Sequence, residues 1–230
     1  MRNILVVILI FMCTFTFAQD ESKTSIAGGA KALVFEFDGL DNLSADSYQG
    51  GIGAKLFLNN SMALRMMFNF DRLSEEDPAN PATGLEGTNG EYINTNFGLG
   101  AGLEIHLGNK SRVSPYFGGG LGFTYGSAVY KPPIVYDQGA SVTRVEQETT
   151  GIYQFNLVGI IGAELFILKE VSLSAEYMLS IGFYGNGDTK YTPVAVSGTP
   201  PVGDSYTLKG NSGWYIGTGS AGQLLLSIYF

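Results

Sequence analysis

The sequence predicts an all-β protein, an eight-stranded antiparallel up-and-down barrel that spans a membrane with strands. Three observations carry this. Apolar residues recur with period two through most of the chain, the mark of strands with two unlike faces. The opposite face of those strands is Gly, Ser and isolated charges. The links between strands alternate between short and long.

The strands are expected in this order. The first is Lys31 to Phe37, with Leu33, Phe35 and Phe37 on one face. The second is Gly51 to Leu58, aligning Ile52, Ala54, Leu56 and Leu58. The third, Ser61 to Phe70, aligns Leu64, Met66, Phe68 and Phe70. Tyr92 to Leu107 forms the fourth, with Phe97, Leu99, Ala101, Leu103, Ile105 and Leu107 together. Val113 to Tyr125 is the fifth, aligning Phe117, Leu121, Phe123 and Tyr125. The sixth is Ile152 to Phe166, with Phe155, Leu157, Ile161 and Leu165. The seventh, Val171 to Phe183, aligns Leu173, Ala175, Tyr177, Leu179, Ile181 and Phe183. The eighth is Trp214 to Phe230, with Leu224, Leu226, Ile228 and Phe230. Strands of about 9–11 tilted residues cross a bilayer, and the longer segments meet that length.

The links after the second, fourth and sixth strands are short: Asn59-Asn60, Gly108 to Arg112, and Ile167 to Glu170. Those after the first, third, fifth and seventh are long and polar. In a meander, alternate links lie at opposite ends, so one end carries turns and the other carries loops, the membrane-barrel pattern. Asn59-Asn60 suits a tight hairpin because Asn tolerates positive φ. A soluble barrel would show the same alternation inside out, with a solvent face dense in Lys, Glu and Thr. Here that face is Asn96, Gly98, Gly100, Gly102, Glu104 and His106 on the fourth strand, and Ser172, Ser174, Glu176, Met178, Ser180 and Gly182 on the seventh. Small residues fit the crowded axis of a narrow barrel.

Composition agrees. The chain has 32 Gly and 13% aromatic residues, with only 15% charged, against a globular average of about 25%. Residues 1–18 read as a cleaved secretion signal: Met1-Arg2-Asn3, then an apolar run from Ile4 to Phe17, with Thr16 and Ala18 before the cut. Residues 19–29 form a short leading segment and residues 30–230 the barrel. The single cysteine, Cys13, falls inside the signal, so disulfides and zinc–cysteine sites are excluded from the mature chain. The net charge of -8 argues against nucleic acid as a partner.

The chain ends Gln223-Leu-Leu-Leu-Ser-Ile-Tyr-Phe230. With the strand pattern and loop asymmetry, this resembles the small outer-membrane barrels typified by OmpA and OmpX. The resemblance implies outer-membrane lipid and lipopolysaccharide as surroundings. It also implies recognition of Leu226, Ile228 and Phe230 by the barrel assembly machinery, location in the bacterial outer membrane after export, and a monomer with an unidentified extracellular ligand on its long loops.

Glu36, Lys55, Arg65, Glu104, Glu164 and Glu176 fall on the inner face, with His106 near them, and are expected to form a charge network in the lumen. Unpaired buried charge costs several kcal/mol, so pairing is expected. The same groups could line a narrow porin-like channel for small solutes. A lipid-modifying hydrolase would need His106, the one histidine, near the outer leaflet, whereas it adjoins a short turn. No catalytic, cofactor or metal residue is assigned, and no enzyme activity is expected. Gly217-Thr-Gly219-Ser-Ala-Gly222 has dinucleotide-loop spacing but no βαβ context, and reads as strand entry. Acidic loop residues lack calcium-loop spacing. Tyr92, Tyr125, Tyr153, Tyr184, Trp214 and Tyr215 are expected in an aromatic girdle at the loop end, with Phe117, Tyr229 and Phe230 marking the other end.

Overall fold

The computed structural model describes residues 27–37, 47–80, 85–108, 111–136, 142–197, 203–218 and 223–230. The expected signal lies outside them. Among the described residues the strands are β1 (Lys31–Phe37), β2 (Ser47–Phe57), β3 (Met62–Asp77), β4 (Glu86–Thr88), β5 (Gly90–His106), β6 (Val113–Lys131), β7 (Ile134–Tyr136), β8 (Val142–Phe166), β9 (Val171–Gly185), β10 (Thr189–Ser197), β11 (Tyr206–Leu208), β12 (Ser212–Thr218) and β13 (Gln223–Tyr229). Eight of these close a ring: β1, β2, β3, β5, β6, β8, β9 and β13, with β13 returning to β1. Every pairing in it is antiparallel.

The register fixes the tilt. From Val34, facing residues run Gly53, Met67, Gly100, Gly122, Asn156 and Gly182 in one direction. In the other they run Ser227 and Ser172. The two routes meet β9 ten residues apart. An offset of about 33 Å against a width of about 38 Å measured perpendicular to the eight strands tilts them by roughly 40° and sets a backbone radius of about 8 Å. That radius leaves room for side chains and little else.

Alternation sorts the side chains. Leu99, Leu121 and Ile161 are 62%, 68% and 70% exposed on the outside, while Lys55, Glu104 and Glu164 are at most 2% exposed inside. The apolar face therefore looks outward to lipid, and the polar face looks to the axis.

The two ends differ. At one lie both ends of the ring and the short links, joined by Tyr229 N–H to Glu170 O (2.7 Å) and Phe230 N–H to Lys31 O (3.0 Å). Here Leu58 and Met62 close the first hairpin, and Asn59 Oδ1 accepts the Ser61 and Met62 N–H groups, both at 2.9 Å. No described non-glycine residue has positive φ. The tightness of this turn therefore comes from the Asn59 side chain, not from the left-handed backbone expected of Asn59-Asn60.

At the far end the sheet continues past the ring. Gly151 (φ 71°) forms a bulge where the β6–β8 register shifts. Below it β8 pairs with β9; above it β8 pairs with β10, which carries β11. With the upper parts of β3, β5 and β6 this builds a wall on one side of the mouth, and β4 pairs with β7 beside it. The long links after the third, fifth and seventh expected strands thus contain strands. The eighth expected strand is two segments, β12 and β13, pairing with different stretches of β9; residues 219–222 between them lie outside the described set.

The aromatic girdle is corrected in part. Trp214, Phe183, Tyr153, Phe155 and Phe123 form, in that order, a chain of ring contacts on the outer face. Tyr215 instead turns inward, donating to Asn156 Oδ1 at 2.6 Å, with the ring of Tyr184 tilted against it. Tyr92 faces the mouth of the lumen. Tyr229 is buried among Phe57 and Phe166. Alternation decides each case, and an aromatic on the inward parity of its own strand goes inside.

Candidate functional site

The lumen is layered. At the short-turn end Ala32, Phe57, Ala63, Phe166 and Tyr229 form an apolar floor. These are inward positions where the strands end, and rings fill the bore.

Above the floor lies an ionic layer. The β2–β3 register sets Lys55 directly across from Arg65, two cations side by side, and Gly102 beyond Arg65 leaves its side chain room. Glu104 resolves the repulsion, lying 3.0 Å from Lys55 Nζ and 3.0 Å from Arg65 Nη1. Arg65 grips Glu176 with two parallel bonds, at 2.5 and 3.0 Å, the strongest geometry for such a pair. Glu176 also accepts from Tyr116 Oη. That contact exists because Gly162 has no side chain: a Cβ there would lie 2.7 Å from Tyr116 Cζ. Glu164 accepts from Tyr229 Oη at 2.6 Å and from Ser172 Oγ, and lies 3.4 Å from Lys55 Nζ. His106 spans Glu104 (Nε2, 3.2 Å) and Ser114 (Nδ1, 3.1 Å), held between the rings of Phe57 and Tyr116.

Of the seven residues assigned to the lumen from sequence, Lys55, Arg65, Glu104, His106, Glu164 and Glu176 share this connected cluster. Glu36 stands apart, its Oε1 accepting Asn69 Nδ2 and Gln223 Nε2, both at 2.9 Å. Tyr116, Tyr229, Ser114 and Ser172 belong to the cluster and were missed. Ser172 is expected on the inner face but not in the network, and the inward parity of Ser114, Tyr116 and Tyr229 is the signal that would have found them.

Ser114, His106 and Glu104 have the connectivity of a hydrolytic triad. The resemblance ends there, because all three are at most 3% exposed beneath packed side chains. Ser114 Oγ is closed off by this packing, and the chain of bonds fixes the ring of His106.

Beyond the ionic layer the bore opens. A cavity of about 320 Å³ is bounded by Glu36, Arg65, Met67, Asn69, Ile160 and Met178, among others. A second chamber of about 350 Å³, lined by Tyr92, Asn94, Asn96 and Gln154, shares Asp71 and Thr124 with it and leads to the mouth. The wall strands carry their own pairs. Lys131 Nζ lies 2.8 Å from Glu91, and its donated hydrogen bond and charge hold that carboxyl below its ordinary range. Tyr130 Oη donates to Asp77 at 3.1 Å, which raises the phenol.

Residues 4–198 match the family described as the outer membrane protein beta-barrel domain. No curated protein matches the chain. Among solved structures it is similar to the crystal structure of Acinetobacter baumannii CarO, at 14% identity over 91% of this chain and 100% of that one, with a TM-score of 0.34.

Proposed function

This chain belongs to the outer membrane protein beta-barrel family, and from that premise we propose that it is a non-enzymatic outer-membrane barrel, closed at its periplasmic end, that meets the exterior through its long-loop end. The short-turn end is the periplasmic one in this reading. One observation carries it: Lys55, Glu104, Glu164 and Glu176 are at most 3% exposed and bonded to one another or to shared partners across the full bore. A pore would need water where these side chains lie. Pairing of β13 with both β1 and β9 closes the ring toward the short-turn end, with no open edge there among the described residues, which supports a monomer. Leu226 and Ile228 lie on the lipid face of β13 and Phe230 is exposed beyond it, so all three are accessible for the recognition by the assembly machinery that this reading includes.

Planar-bilayer recording of the purified protein tests the closed reading. We expect no stable single-channel steps at neutral pH. Regular steps of uniform size would favour the narrow channel instead. Replacing His106 with Ala tests the hydrolase reading: any lipid-modifying activity that vanished with the imidazole would overturn the non-enzymatic assignment.

A further inference from the structure

We infer that the outer half of the lumen is a binding pocket for a neutral polyhydroxylated molecule, one sugar ring in size, that enters from the long-loop end. The inference rests on the closed floor proposed above and adds what sits upon it.

The cavity of about 320 Å³ falls at the lower end of small-molecule sites, which span roughly 300–1,000 Å³. Its emptiness is not forced by the backbone. At Gly120 a Cβ would meet Ala101 O at 2.5 Å, so curvature requires glycine there. At Gly100 the nearest atoms to a Cβ are 3.7 and 3.9 Å away, and at Gly122 they are 3.7 Å and beyond. Both are ordinary contact distances. A larger side chain would fit at either position and fill the bore, yet the chain leaves the space open.

The walls select the ligand. Asn69, Asn156, Gln223 and Thr124 line the lower cavity, and Asn94, Asn96 and Gln154 line the upper chamber. Amides offer donors and acceptors side by side, which match hydroxyl groups that also do both. Asn156 accepts the Tyr215 hydroxyl on its Oδ1 and turns Nδ2 toward Gly122, 3.7 Å from where a Cβ there would lie. In the upper chamber Asn94 Oδ1 is buried with no donor among the described residues, an acceptor that a ligand hydroxyl would satisfy after a small side-chain turn. Met67, Ile160 and Met178 supply an apolar wall for the C–H face of a ring. An anion would meet the carboxylates of Glu36 and Asp71. An organic cation would face Asp71 and a Glu36 whose Oε1 already accepts two amides, which makes butylammonium the competing ligand.

Saturation-transfer NMR on the detergent-solubilised full barrel tests this. The probes are D-glucose, D-galactose, N-acetylglucosamine and myo-inositol, with maltotriose to separate a free solute from a glycan end. Butylammonium and inorganic phosphate are the comparators. We expect at least one monosaccharide or inositol to bind with a Kd of about 10 mM or tighter, weakened at least about tenfold in Gly100→Leu and in Gly122→Leu. Transfer confined to the terminal ring of maltotriose would assign the pocket to a glycan end and keep the chemistry. Absence of transfer from all sugars, binding unaffected by both fillings, or preference for butylammonium or phosphate would overturn the proposal. Slower migration of an unheated sample on gels reports any variant that fails to fold; Met178→Trp then fills the cavity from the opposite wall. Channel steps in the bilayer would contradict the closed floor, whereas loss of sugar binding alone contradicts only the pocket.

Discussion

Lys55 governs how the ionic layer answers substitution. It serves Glu104 and Glu164 at once, so Lys55→Met leaves both carboxylates short of a cation. Removing one partner of a buried pair costs about 3–5 kcal/mol, and that loss is expected in urea unfolding of the lipid-embedded barrel. Tyr116→Phe removes one hydrogen bond to a charged group and should cost less, about 1.5–3 kcal/mol. Equal losses would contradict the assigned hierarchy. Outside the membrane, a hydrogen bond from Lys209 Nζ (2.7 Å) and one from the Gly210 N–H (3.2 Å) hold the Asp188 carboxyl below its ordinary range. A folded value below the unfolded one means the contact is stabilising above the unfolded pKa and is lost as pH falls through the folded one. The Gly210 amide signal should therefore titrate with a midpoint below about 3.9; a midpoint at or above it would remove the pair. Parity alone assigns Glu36, Lys55, Arg65, Glu104, Glu164 and Glu176 to the inner face. Which of them meet depends on register and tilt, carried by no local pattern, and so the separation of Glu36 from the rest was not readable.

At the scale of elements, alternation works where one face meets lipid and the other the axis. It located all eight ring strands, and Lys31–Phe37 to the residue. It failed beyond the bilayer, where both faces are wet. Thus β10, β11 and the upper half of β8 read as loop, because Val142 to Thr149 carries no apolar stripe. The Gly151 bulge marks the boundary between these regimes. Gly151→Ala would force a side chain into φ 71°, costing about 1–2 kcal/mol. Its measurable consequence is faster amide exchange in β10 and upper β8, with the ring strands unchanged. In the first hairpin, Asn59→Ala removes the acceptor of two backbone N–H groups and should lower stability by about 1–3 kcal/mol.

For the whole molecule, the account is of a protein turned inside out, with a plugged lower bore and an open upper one. Leu121, among the more exposed apolar residues, should tolerate Arg poorly, at about 2–4 kcal/mol near mid-bilayer. The direct test is a single-cysteine scan down β5, in a chain whose natural cysteine, Cys13, precedes the barrel. A membrane-impermeant thiol reagent is added from outside to protein in sealed vesicles. Positions 94, 96, 98 and 100 should react, whereas 97, 99, 101, 103 and 105 stay silent in lipid and 104 and 106 stay silent beneath the ionic layer. Labelling of the odd positions would reverse the faces of the barrel, and labelling of 104 and 106 would open its floor.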